Sequence, residues 1–417
     1  MELETESWTI LERVWIVQGS RKSNVFTDFK VFFYNINFTI SSNVGRGEME
    51  TERGSESAPE SIVNSSPIIE LPLELLLDIF SHLTLREMVL CRLFLQTLTS
   101  SSFLRLASRM PPLHLLILRP SNPHNHHHSS SILHAFDPFL NQLLRFPLDF
   151  ITPFQSTKIT PVASSSGLLY LWSNPHSSLI VCNPLTRRFR LLFTLGSSWS
   201  LRHATVILGS PGEVVVFNNL SALYYSPKFG LLSTYLAYKC RSPILVSKKI
   251  FALCYTGSPP WWQPNQSLWK LFSCKLQHFC RSGWERVEKD EWKALLNKLE
   301  QPHLIRGRGN NEILMAGGLR SWDVSCSTFV ILRLDLDRLE WDEVGRMPKM
   351  MFKWFEDSPK LKAFGGGDWV YVSGKSVRRV AMWNSSSSDW RWLHGVDGHR
   401  KSVRKGFVFD ATLTAVP

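Results

Sequence analysis

One unit recurs along most of this chain and limits its fold more than any other feature. A strand-like apolar run ends on Asp, Asn or Ser. A turn follows, and a large apolar or aromatic residue then opens another run. The units read FDPFLNQLLRF, CNPLTRRFRLL, YSPKFGLLSTY, FSCKLQHFCRSGWERV, LDLDRLEWDEV and WNSSSSDWRWL. Their turn anchors are Asp137, Asn183, Ser226, Ser273, Asp335 and Asn384, with gaps of 46, 43, 47, 62 and 49 residues. Asp, Asn and Ser suit an anchor because their side-chain oxygens accept hydrogen bonds from backbone N–H groups just ahead of them. Between anchors lie short runs such as LHLLIL, GLLYLW, SLIVCN, EVVVFN, TFVILRLDL and DWVYVSG. Gly, Pro, Asn and Ser punctuate them at the spacing of an all-β protein.

A period near 49 residues in a β-rich chain predicts a β-propeller with one four-stranded blade per unit. Residues 113 to 417 hold six such periods. The final run, GFVFDATLTAVP, is a strand with no turn unit of its own, and it is expected to complete the first blade. The long gap from Ser273 to Asp335 predicts an insertion over Glu285 to Gln301. Its sequence, WERVEKDEWKALLNKLEQ, reads as a short helix projecting from the ring, with Trp284, Val287, Leu295, Leu296 and Leu299 as apolar points.

Two units carry more. Gly317-Gly318 precedes Trp341 and Gly366-Gly367 precedes Trp390, each Trp lying 23 residues after the second Gly. Paired glycines let strands approach closely near the ring centre, and a Trp fills the wedge between blades. These two units resemble the kelch repeat; Gly167-Leu168 with Phe189 is a partial third. Both Trp side chains are expected at equivalent, largely buried places in consecutive blades.

Ahead of the β region, LPLELLLDIFSHLTLREMVLCRL runs from residue 71 to 93. Leu75, Leu76, Ile79, Phe80 and Leu83 share one stripe of a helix. Pro72 suits the first turn. Thr84 opens a second helix with Glu87 as its capping-box partner. Two short helices cannot bury such a stripe alone; it packs on another helix, a domain or a partner. The segment resembles an F-box, through Leu71-Pro72, Leu75-Leu76, Ile79-Phe80, Leu83 and the stretch from Val89 to Arg92. After Arg92 the chain runs LFLQTLTSSSFLRLA, a few residues shorter than the usual third helix and without its Trp.

An F-box followed by degenerate kelch units is similar to the plant F-box/kelch-repeat family. Residues 1–66, a mix of Ser, Glu and Gly with two apolar islands, read as a poorly ordered leader; the likeness implies an F-box with a degenerate third helix over 67–108 and a kelch-like propeller over 109–417. It also implies a substrate-recognition subunit of a Skp-cullin-F-box ubiquitin ligase, with no catalysis of its own. Leu71, Pro72, Leu75, Leu76, Ile79, Phe80, Leu83 and Val89 would then bind a Skp-type adaptor, and through it a cullin, while the propeller holds the target protein. No residue of the sequence marks the target-binding surface. The competing reading is a kelch-propeller scaffold or propeller enzyme whose N-terminal helices serve internal packing.

Composition narrows the remaining classes. No uninterrupted apolar stretch reaches the length of a membrane span, and the acidic start MELETES is unlike a secretory signal. Seven cysteines without CxxC spacing read as reduced thiols of a cytoplasmic or nuclear protein. His126, His127 and His128 lie in a polar loop, SNPHNHHHSSS, and are read as surface residues and not as a metal site. Residues 1–66 hold 6 Lys/Arg against 10 Asp/Glu, and the remainder 41 against 25. This dispersed basic excess fits an acidic protein partner better than nucleic acid. Gly374-Lys375-Ser376 resembles the end of a phosphate loop, but Trp369 stands where its first Gly belongs. No catalytic motif, metal set or cofactor fingerprint is expected.

Overall fold

The computed structural model describes residues 108–119, 132–151, 159–173, 177–194, 205–209, 212–218, 221–236, 239–257, 269–276, 279, 283–289, 291–309, 311–319, 328–356, 358, 361–375, 377, 379–394 and 405–417, with Leu85 and Leu104. The chain divides into two compact units, Met1–Met110 and Pro111–Pro417. In the first, Leu85 and Leu104 are helical, and the Ser108 N–H donates to the Leu104 carbonyl.

Among the described residues, the second unit contains six four-stranded antiparallel sheets. Blade 1 contains β1 (Leu113–Arg119), β2 (Ile132–Asp137) and β3 (Gln142–Pro147). Blade 2 is β4 (Ile159–Ser165), β5 (Leu168–Ser173), β6 (Ser178–Asn183) and β7 (Arg188–Thr194). Blade 3 is β8 (Thr205–Leu208), β9 (Val214–Phe217), β10 (Ser221–Ser226) and β11 (Gly230–Tyr235). Blade 4 is β12 (Lys239–Val246), β13 (Lys249–Tyr255), β14 (Trp269–Lys275) and the two-residue β15 (Glu285–Arg286). Blade 5 is β16 (Leu299–Arg306), β17 (Glu312–Leu319), β18 (Thr328–Asp335) and β19 (Glu340–Arg346). Blade 6 is β20 (Leu361–Gly366), β21 (Trp369–Gly374), β22 (Val380–Asn384) and β23 (Trp390–Leu393). The last strand, β24 (Lys405–Ala411), joins blade 1 on the far side of β1. Strands β4, β8, β12, β16, β20 and β24 neighbour one another in a closed ring. The fold is a six-bladed β-propeller, as the period predicted.

Burial follows position in the blade. Middle strands such as β6 and β9 are buried along their whole length, whereas outer strands β7 and β19 expose most of theirs. The core lies between blades. Val181 and Leu179 of blade 2 pack on Val214 and Val216 of blade 3. Trp383 of blade 6 packs on Phe329 and Ile331 of blade 5, and Tyr371 of blade 6 on Leu116 and Phe136 of blade 1.

Five of the six predicted anchors occupy one structural position, the last residue of a blade's third strand. The Asp137 Oδ1 accepts from the N–H groups of Phe139 and Leu140 at 2.9 and 3.2 Å. Asp335 does the same for Asp337 and Arg338 at 2.8 and 3.2 Å, and Asn384 for Ser386 and Ser387 at 2.7 and 3.3 Å. Ser226 Oγ accepts from Lys228. Asn183 Oδ1 accepts from Leu185 and Thr186. Ser273 does not belong with them. It lies inside β14 opposite Glu285, and the strand continues to Lys275.

Ring closure is tight. Strand β24 pairs with β1 along its length, from Leu113↔Ala411 to Arg119↔Lys405. The segment after it is clamped to blade 2, where the Asn183 Nδ2 donates to the carbonyls of Thr412 and Ala415 at 2.9 and 2.8 Å. Gly167 is required beneath this segment: its φ is +77°, and a Cβ there would meet Thr412 Oγ1 at 2.1 Å.

Two expectations need correction. The helix, α1 (Trp292–Lys298), does not project from the ring. It connects blades 4 and 5, and Trp292 and Leu296 are buried against Leu253 and Leu271 on one side and Leu332 and Leu334 on the other. Leu299 is already in β16. The two glycine pairs are not equivalent: Gly317-Gly318 lies within the second strand of blade 5, while Gly366 ends the first strand of blade 6 and Gly367 is in the turn. Their equal spacing to Trp is a coincidence of loop lengths. Trp341 and Trp390 are equivalent, as expected, pairing with Leu334 and Trp383 just before the anchors, and each packs against an inter-blade core with its indole nitrogen buried. They do fill wedges: Trp341 meets Trp292 edge-on at 5.7 Å, and Trp390 meets Phe329 of blade 5 at 6.4 Å.

Candidate functional site

The eight predicted adaptor-binding residues, Leu71, Pro72, Leu75, Leu76, Ile79, Phe80, Leu83 and Val89, lie outside the described residues, as do His126, His127 and His128. The site that the propeller builds is its channel, a cavity of about 1240 Å³ lined by the first strand of every ring position.

The backbone prepares one side of this channel. Three of its strands, β4, β12 and β16, carry β-bulges, between Pro161 and Ala163, Arg241 and Ile244, and Glu300 and His303. Each bulge has a proline in it or at its edge: Pro161, Pro243 and Pro302. Proline cannot donate to a sheet ladder, so it is tolerated where the ladder is already broken. A bulge also re-aims the side chains beside it. In β12 and β16 the extra residue sits beside a left-handed one, Ser242 (φ 46°) and Gln301 (φ 48°). Gly317 faces the β16 bulge across the ladder, where a Cβ would come within 3.1 Å of the Glu300 carbonyl.

The bulges turn Arg241 and His303 toward one point. His303 Nδ1 donates to the Gln301 carbonyl at 2.7 Å. That bond fixes the tautomer and leaves Nε2 as an acceptor. Arg241 Nη2 reaches Nε2 at 3.5 Å from β12, and Lys362 Nζ reaches it at 3.4 Å from β20. The Arg241 guanidinium also lies over the Trp269 ring at 5.5 Å. Burial pushes its pKa down from the ordinary arginine value. Three consecutive blades thus converge two cations and an imidazole.

Elsewhere in the lining His114, Asp410, Asp368 and Arg308 are paired. His114 Nδ1 donates to Asp410 at 2.8 Å, and its Nε2 accepts from the Tyr371 hydroxyl at 3.2 Å. Burial pushes the Tyr371 phenol up, which keeps that donor protonated. Asp368 accepts from Ser385 Oγ at 2.7 Å and pairs with Arg308 at 3.6 Å. Among the described lining residues four are Arg or Lys and two are Asp, which makes this lining electropositive. Among the described residues no cluster of His, Cys, Asp and Glu is arranged to hold a metal. Cys182, Cys240, Cys254 and Cys274 are free thiols.

Arg241, His303 and Lys362 were not marked by sequence reasoning. The available signal was a proline in a channel strand: Arg-Ser-Pro at 241–243 and Gln-Pro-His at 301–303.

A closed six-bladed ring around a lined channel, preceded in sequence by a separate unit, makes this a β-propeller protein. No protein-family model matches the chain. It is 46% identical over 386 residues to SKP1-interacting partner 15 of Arabidopsis thaliana, covering 85% of this chain and 100% of that protein. The chain belongs to the family of that relative, a family of plant F-box proteins. Solved structures are far more distant. A chain of the nidogen/laminin complex aligns at a TM-score of 0.44 and 8% identity, covering 71% of this chain and 98% of that one. Oligogalacturonate lyase in complex with manganese aligns at 0.36 and 10% identity, covering 63% and 73%. Neither likeness bears on function.

Proposed function

We propose that this protein is the substrate-recognition subunit of a Skp-cullin-F-box ubiquitin ligase, acting in the cytoplasm or nucleus without catalysis of its own. The stripe of Leu71, Pro72, Leu75, Leu76, Ile79, Phe80, Leu83 and Val89 docks on a Skp-type adaptor, which carries the cullin. The propeller holds the target. Rate then comes from proximity: a bound target lysine meets the charged ubiquitin-conjugating enzyme at high effective concentration.

The observation that carries this reading is the 46% identity across the whole length of a protein named as a SKP1 interactor. The apolar spacing of Leu75, Leu76, Ile79, Phe80 and Leu83 in the sequence supports it independently. The test is capture of a Skp-type adaptor by the full chain. Leu76→Ala with Phe80→Ala removes two apolar anchors at about 2 kcal/mol each. Capture should fall well over tenfold while propeller stability stays unchanged. Undiminished capture would overturn the assignment of this face.

A further inference from the structure

We infer that the propeller channel contains an oxyanion-binding site made by Arg241 and Lys362, which converge beside the His303 imidazole, and that it takes a carboxylate or phosphate. The inference deepens the receptor reading above, and it rests on that reading only for the idea that a target protein carries the anion.

The three side chains come from first strands of three consecutive blades, β12, β16 and β20. Both cations aim at one acceptor, His303 Nε2, at 3.5 and 3.4 Å. These contacts are long; a cation donating to an oxyanion normally approaches to about 2.8 Å. An oxygen bearing full negative charge is a better acceptor than a neutral imidazole nitrogen, and both donors can turn to it without leaving the channel. The desolvated charge of Arg241 gains most from such a partner. Trp269 holds the guanidinium plane from one side and preserves its fork for bidentate contact.

The backbone supports the same reading. Two non-glycine residues, Ser242 and Gln301, are held in the left-handed region beside these side chains. Such strain costs free energy and concentrates at ligand clamps. The Gln301 carbonyl orients the imidazole, so the strained bulge fixes the ring on which the two cations converge. The two lining carboxylates, Asp368 and Asp410, are engaged by Arg308 with Ser385 and by His114. With four basic side chains against two carboxylates among the described lining residues, the channel presents a net positive field to a ligand brought from outside.

The experiment uses the full chain at fixed ionic strength set with chloride. Two probes are titrated: inorganic phosphate, read by calorimetry, and a fluorescent Glu-rich peptide, read by anisotropy, with a Gln-rich peptide as neutral control. The wild type should bind at least one anion and not the neutral peptide. Lys362→Met should weaken that binding about tenfold or more, the factor expected for a lost charge-assisted hydrogen bond. Lys362→Arg should restore it, and Arg333→Met, on the outer part of blade 5, should leave it unchanged. Peptide binding that phosphate competes away places the anion on a target segment. Phosphate binding without peptide binding makes it a free small anion. The proposal is overturned if neither probe binds, or if Lys362→Met binds as tightly as the wild type while keeping its thermal midpoint. Adaptor capture does not enter this measurement, so its result and that of the ligase test are independent.

Discussion

Replacing Asn183 by Asp should destabilise the ring far more than the same change at Asn384, although both residues are turn anchors. Both use Oδ1 to accept from two backbone N–H groups ahead of them. A carboxylate does this equally well, as Asp137 and Asp335 show in blades 1 and 5. Asn183 differs because its Nδ2 also donates to the carbonyls of Thr412 and Ala415. These bonds hold the segment that follows β24, the strand that closes the ring. Asn183→Asp deletes both donors in a fully buried side chain and aims a negative oxygen at two carbonyl oxygens. Two lost hydrogen bonds at about 1 kcal/mol each, with the repulsion added, give about 2–4 kcal/mol. For a domain of this size that is a fall of about 4–8 °C in Tm. Thermal unfolding followed by tryptophan fluorescence measures it. The sign of its pH dependence is fixed. Beside those carbonyls the introduced carboxyl has a raised pKa in the folded state, so the folded chain holds its proton more tightly than the unfolded one. The deficit should therefore shrink as pH falls through that raised value, where the protonated oxygen can donate to one of the carbonyls. Equal shifts for Asn183→Asp and Asn384→Asp, at any pH, would refute the idea that Asn183 clamps the closing segment.

Two further outcomes follow from the corrected blade register. Trp292→Ala should cost about 3–5 kcal/mol, because the indole is buried between blades 4 and 5 and meets Trp341, whereas Lys298→Ala on the exposed side of the same helix should cost little; equal midpoints in denaturant would return the helix to the surface. The Asp335 carboxyl is held below its ordinary pKa, chiefly by the N–H groups of Asp337 and Arg338. Its contribution to stability is thus complete above the unfolded-state value and disappears as pH falls through the lower folded value. Asp335→Asn should be somewhat less stable than the wild type at neutral pH and lose less Tm on acidification, so that the two converge at low pH, and an identical acid response in the two proteins would count against that role.

Much of the fold was legible because the anchors are local chemistry. An Asx or Ser oxygen capping its own turn needs only the residues beside it, so Asp137, Asn183, Ser226, Asp335 and Asn384 could be recognised without knowing what surrounds the blade. Ser273 shows the limit. A Ser inside a strand and a Ser ending one look alike in sequence, and here the strand runs on to Lys275. The helix at Trp292–Lys298 was recognised as a helix from its apolar spacing, but its burial was not. Which wedge accepts Trp292 depends on Leu253 and Leu332, which lie in different blades.

The channel site was hidden for a related reason, yet it left a trace. Arg241, His303 and Lys362 are about 60 residues apart in successive pairs, each in a blade whose own strands look ordinary. Their meeting follows only when the ring closes. What sequence does reveal is the disturbance needed to aim them. A propeller strand at the channel has ladder hydrogen bonds to donate, and a proline interrupts that ladder; Pro161, Pro243 and Pro302 all fall at or in bulges. Two of the three bulges carry a strained non-glycine residue next to a polar side chain that points at its neighbour's. Folding alone would favour straight strands there. The cost is borne in the two adjacent blades that supply Arg241 and His303, on the channel side where the proposed anion site lies.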